Sequence, residues 1–133
     1  MTEQTRFNDT IASFDAINAE DPNLLTIDGK QQPKELVYAQ RISEMLTRYA
    51  PDASEALKLA TRAQHIQRWV SPRSDYPMTK PGYMQWRSNL KKHHAEVASK
   101  VMQEHGYDAE AIQQVASLLQ KENLRANADT QTL

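Results

Sequence analysis

The spacing of the apolar residues narrows the fold of this chain more than any other feature. They return every three or four positions in five separate stretches, the signature of amphipathic helices, and no strand-like alternation stands out. Phe7, Ile11, Phe14 and Ile17 form the stripe of a first helix ending near Ala19, ahead of the turn residues Asp21-Pro22-Asn23. Residues 22–32 read as a connector. Leu36, Val37, Ala39, Ile42, Met45, Leu46 and Tyr49 make a second stripe, which Pro51 stops. Asp52, with Glu55 three residues on, is the expected cap of a third helix whose inner face is Ala56, Leu59, Ala60, Ala63 and Ile66.

The run VSPRSDYPMTKPGY holds three prolines and no regular period, and is expected to be an ordered loop. Trp86, Leu90, Val97, Val101 and Met102 then predict a long fourth helix from about Pro81 to His105, with Gly106 as its left-handed stop. Asp108 suits the cap of a fifth helix with Ile112, Val115, Leu118 and Leu119 on its buried face, after which the pattern thins into NLRANADTQTL. With no internal repeat, the expected fold class is all-α: a single-domain bundle of about five helices over residues 1–133.

Composition removes several function classes. No cysteine is present, so there is no disulfide framework, thiol nucleophile or Cys-based zinc site. No apolar run is long enough for a membrane span, and the polar start MTEQTRFNDT lacks a signal peptide's apolar stretch, which together imply a cytoplasmic protein. Three glycines leave no GxSxG elbow, Walker loop or dinucleotide fingerprint.

The net charge of −1 conceals a strong asymmetry. Arg62, Arg68, Arg73, Lys80, Arg87, Lys91 and Lys92 face only Asp75 within residues 62–94, a net +6 set against −7 elsewhere. The same window holds Trp69, Trp86, Tyr76, Tyr83 and the histidines His65, His93 and His94. Arginines interleaved with flat rings suit a phosphate-bearing ligand, because guanidinium grips phosphate in a fork and rings stack on bases or sugars. Arg68, Trp69, Arg73, Tyr76, Tyr83, Trp86 and Arg87 are the candidate ligand-binding set. The competing assignment is structural: the two tryptophans pin the proline-rich loop onto the bundle, and the cations are solvated. Near-neutrality overall argues against nucleic acid as a partner.

No HxxxH pair exists, so a metal would have to be assembled across helices, from His65 on the third and His94 or His93 on the fourth. Glu96 is the alternative ligand, with Asp75 or another carboxylate as a further source of the remaining ligands, although two residues along a helix Glu96 diverges from His94. A helical histidine is also commonly a hydrogen-bonded structural residue.

The segments LATRAQHIQRWVSPRSDYP and KPGYMQWRSNLKKHHAEVASKVMQEHGYD resemble the heart of the uncharacterised family called domain of unknown function 4202, over nearly the whole chain. That family continues after a QTL like Gln131-Thr132-Leu133 into an acidic segment and a further apolar helix. The resemblance therefore implies a C-terminally shortened domain, with a partly bare fifth helix that would favour a homodimer.

A more distant resemblance is to HD-domain metal-dependent phosphohydrolases. It implies His65 in the place of the His-Asp pair's histidine and His94 or His93 as the later ligand. Ile66 stands where the pair's aspartate would be, and Tyr38 stands near the first histidine's position. The implied function is a degenerate HD-like hydrolase of a nucleotide or small phosphate ester, using Mn, Fe, Mg or Zn. The alternative is a non-catalytic helical module that binds an anionic or phosphorylated ligand.

Overall fold

A computed structural model describes residues 2–120. Helix α1 spans Glu3–Asn18, a short antiparallel pair β1 (Leu24–Ile27) and β2 (Lys30–Pro33) follows, then α2 (Lys34–Tyr49), α3 (Glu55–Arg62), α4 (Lys80–Glu104) and α5 (Ala109–Gln120). Two single 3-10 turns, Arg68–Val70 and Arg73–Asp75, lie between α3 and α4. The protein is thus mostly helical, with one small two-stranded sheet.

The five helices agree with the expected helical bundle, and the hairpin adds one small sheet where a connector over residues 22–32 is expected. Leu25 and Ile27 alternate half-buried with exposed neighbours, and Asp28 and Gly29 both take positive φ, 52° and 77°. Two such residues in succession make the turn whose twist matches that of paired strands, and Asp-Gly is among the commonest pairs to supply it. Leu24 pairs with Pro33 and Ile27 with Lys30.

Local capping sets the other boundaries. Thr2 caps α1 by accepting from the Thr5 N–H. The third helix is capped by the Ser54 hydroxyl, which accepts from Leu57 N–H, and not by Asp52. It also ends at Arg62, so Ala63–Gln67 is irregular backbone rather than a helical extension of the LATRAQHIQRW run. Thr79 caps α4, with Pro81 in the first turn where its missing N–H costs nothing. Gly106, at φ 85°, follows the end of α4, and Asp108 accepts from Ala111 N–H at the start of α5.

The core joins Phe14 of α1, Leu59 and Ala60 of α3, Ile66, Ala98 and Met102 of α4, and Val115 and Leu118 of α5. Val115, Leu118 and Leu119 are buried, so the bare fifth-helix stripe expected to favour a homodimer is not found. Met45 and Tyr49, assigned to the inner stripe of α2, are instead 59% and 75% exposed. Arg62 grips Asp15 through two nitrogens, at 2.8 and 2.7 Å, tying α3 to α1. No described helix is long and apolar enough to cross a membrane. The thinning over NLRANADTQTL and the ending at Gln131-Thr132-Leu133 lie outside the described residues.

Candidate functional site

The segment after α3 shapes the site. Gln67 adopts the left-handed region, φ 57°, which costs a residue with a Cβ about 1 kcal/mol or more. Two bonds hold it there: its N–H donates to the Asn18 side chain at 3.2 Å, and its side-chain oxygen lies 3.0 Å from His93 Nε2. This reversal aims the Ile66 carbonyl at α4, where it accepts from His94 Nδ1–H at 2.8 Å. The Ile66 side chain points the other way and is fully buried in the core.

That hydrogen bond sets the His94 tautomer, leaving Nε2 as the lone-pair nitrogen. Burial pushes His94 down to about 4. The bond to Ile66 opposes that shift, while His65, His93 and Arg68 add to it. His65 is also lowered to about 4, first by burial and then by the Arg68 charge. Both rings are neutral near pH 7, and their centroids stand 6.3 Å apart. The convergence of two residues 29 positions apart is made by the turn at 63–67 packing on the middle of α4.

A third group, which sequence reasoning missed, completes the cluster. Glu35, in the first turn of α2, is 5% exposed, and its Oε1 lies 4.0 Å from His65 Nδ1. Its backbone N–H donates to Asp21 Oδ2 at 2.9 Å, while the other Asp21 oxygen accepts from Asn23. The buried Asp21 therefore caps α2 from outside the helix and fixes the position of Glu35. Burial raises the Glu35 carboxyl above the ordinary range, Arg68 lowers it, Asp21 raises it and Lys34 lowers it. Oε1 has no hydrogen-bond partner among the described residues. The only sequence signal for Glu35 is a carboxylate among the apolar positions that open α2.

Donor chemistry and spacing lead in different directions. Two neutral imidazoles and a buried carboxylate with one oxygen unpartnered among the described residues are suitable ligands for a divalent ion. Imidazoles sharing one ion bring their centroids to about 5 Å, given metal–nitrogen bonds near 2.1 Å. The observed 6.3 Å is more open. Among the described residues no three His, Asp or Glu side chains already stand close enough to share an ion. His93 is turned to Gln67, and Glu96 is exposed on α4.

The arginines gather around one aromatic pair. Tyr83 and Trp86 lie 5.8 Å apart, with Arg73 and Arg87 each 5.7 Å from the Tyr83 ring and Arg68 5.6 Å from Trp86. Arg73 also lies 5.9 Å from Trp86 and donates to the Tyr76 and Pro77 carbonyls. None of Arg68, Arg73 or Arg87 has a salt bridge among the described residues. The structural assignment fits Trp86, which is buried and donates Nε1–H to the Ser71 carbonyl at 2.8 Å, pinning the loop to α4. Tyr76 accepts from Asn89 through its hydroxyl at 2.9 Å, Trp69 is half-buried, and Tyr83 is exposed.

A separate cavity of about 710 Å³ lies between α3 and α5, lined by Leu59, Met102, Tyr107 and Val115 among others, and shares no residue with the histidine cluster.

The family model described as domain of unknown function (DUF4202) matches residues 8–133, and the chain belongs to that family. Neither the curated proteins nor the solved structures provide a match.

Proposed function

We propose that this protein acts on a small phosphate ester, such as a nucleotide, as a degenerate HD-like phosphohydrolase in which His65 and His94 hold a divalent ion. The observation that carries this reading is the position of Arg68. Its guanidinium lies 5.6 Å from Trp86 within the arginine cluster, and its charge also acts on Glu35, His65 and His94. One cation thus links an anion-binding surface to a set of neutral nitrogen donors. Arg68, Arg73 and Arg87 would receive the phosphate oxygens, and Tyr83 offers the exposed ring beside them. A divalent ion of the Mn, Fe, Mg or Zn type held there by His65 and His94 would supply an activated water and neutralise phosphate charge.

Elemental analysis of untagged protein, combined with a hydrolysis assay over a panel of nucleotides and phosphate esters in the presence of Mn²⁺, tests the reading. Stoichiometric metal and released phosphate are expected. Absence of both would overturn it.

A second reading, a binding module without turnover, is favoured by Ile66, whose fully buried apolar side chain stands where the resemblance would require an aspartate. A phosphorylated compound that raises Tm but is recovered intact would select this alternative.

A further inference from the structure

We infer that Glu35 is the third protein ligand of a divalent-cation site with His65 and His94, a position that the family resemblance does not supply. The inference rests on the metal reading above and specifies its donor set. Glu35 is 5% exposed, its Oε1 lacks a hydrogen bond among the described residues, and that same oxygen lies 4.0 Å from His65 Nδ1. Burying a carboxylate oxygen without a partner is costly, and a bound cation removes that cost.

The surrounding bonds hold two of the three donors in place. Asp21 accepts from the Glu35 N–H, and the Ile66 carbonyl accepts from His94 Nδ1–H, the outer contact that orients a ligating imidazole and leaves its other nitrogen free. His65 is the third donor: it sits half-buried on the turn between α3 and Arg68, and its ring would have to close the 6.3 Å separation from His94 for the three side chains to share one ion. Two nitrogens and one carboxylate oxygen suit Zn²⁺, Fe²⁺ or Mn²⁺ and leave coordination positions open for water or a phosphate oxygen.

Isothermal titration of the full, untagged chain with Zn²⁺ and with Mn²⁺ tests the inference. Wild type is expected to bind one ion, Glu35→Gln to lose tenfold or more in affinity, His65→Ala and His94→Asn to lose at least as much, and Glu96→Gln to match wild type. If Glu35→Gln binds as wild type does while His65→Ala is weakened, the metal reading stands and the role of Glu35 falls. If wild type takes up no ion, both fall. Should Glu35→Gln fail to fold, the ¹³Cδ resonance of Glu35 in wild type decides: a shift on saturation with Zn²⁺ supports ligation, and an unchanged resonance overturns it.

Discussion

His94 Nδ1 and the Ile66 carbonyl meet at 2.8 Å, so one residue serves two compartments: its backbone orients the site histidine and its side chain fills the core. The neutral, buried ring makes stability depend on pH. The folded pKa of His94, about 4, lies below the ordinary value of 6.5, so the unfolded chain binds more protons between them. Stability is therefore complete above about pH 6.5 and declines as pH falls toward 4, with a His94 contribution of about 2 kcal/mol lost by pH 5 and about 3 kcal/mol by pH 4. His65 adds in the same direction and Glu35, whose pKa is raised, opposes it. Urea denaturation at pH 7 and pH 5 checks this. His94→Asn keeps an N–H donor for Ile66 but cannot titrate, and its pH slope should be shallower than that of wild type.

Supplying the aspartate that the HD-like reading would require at position 66 should fail. Ile66 is fully buried among core side chains, so Ile66→Asp places a carboxylate where it has no partner and removes apolar packing. A loss of about 4 kcal/mol or more, or outright unfolding, is expected. Chemical denaturation and metal titration together check it, and improved metal uptake by a stably folded variant would contradict the placement.

Gly82→Ala should disturb the arginine cluster from a distance. A Cβ at this position would collide with the Pro77 carbonyl, which is one of the two carbonyls that accept from Arg73. The expected cost is about 2 kcal/mol, as for overpacking against backbone. Tryptophan fluorescence should change as well, because the same loop carries the Ser71 carbonyl bonded to Trp86.

The paired contact between Arg62 and Asp15 predicts a measurable link between α3 and α1. Both side chains are largely shielded and the contact is bidentate, so Asp15→Asn should cost about 2 kcal/mol. Arg62→Lys, which keeps the charge but loses the fork, should cost about half as much in the same denaturation assay.

The helices were legible in the chain because their signals are local. The stripes of α1, α4 and α5, the Gly106 stop and the Asp108 cap all rest on residues within a turn or two of each other. The hairpin was equally local, in Asp28-Gly29 flanked by Leu25 and Ile27, but four-residue strands give too short an alternation to stand out beside longer helical stripes. The +6 window likewise marked where arginines and rings would gather.

Sequence by itself determined the helical character, the concentration of positive charge, and His65 and His94 as the histidines to watch. Only the tertiary structure decided that those two rings converge, that Glu35 joins them with an unpartnered oxygen, and that Trp86 is committed to holding a loop. The difference has a physical origin. Helix formation follows from side-chain spacing along one segment, whereas the site depends on Asp21 capping α2 and on Gln67 reversing the chain into the left-handed region. Those contacts span 14 residues in the first case and 26 to 49 in the second, and are made only when separate helices pack.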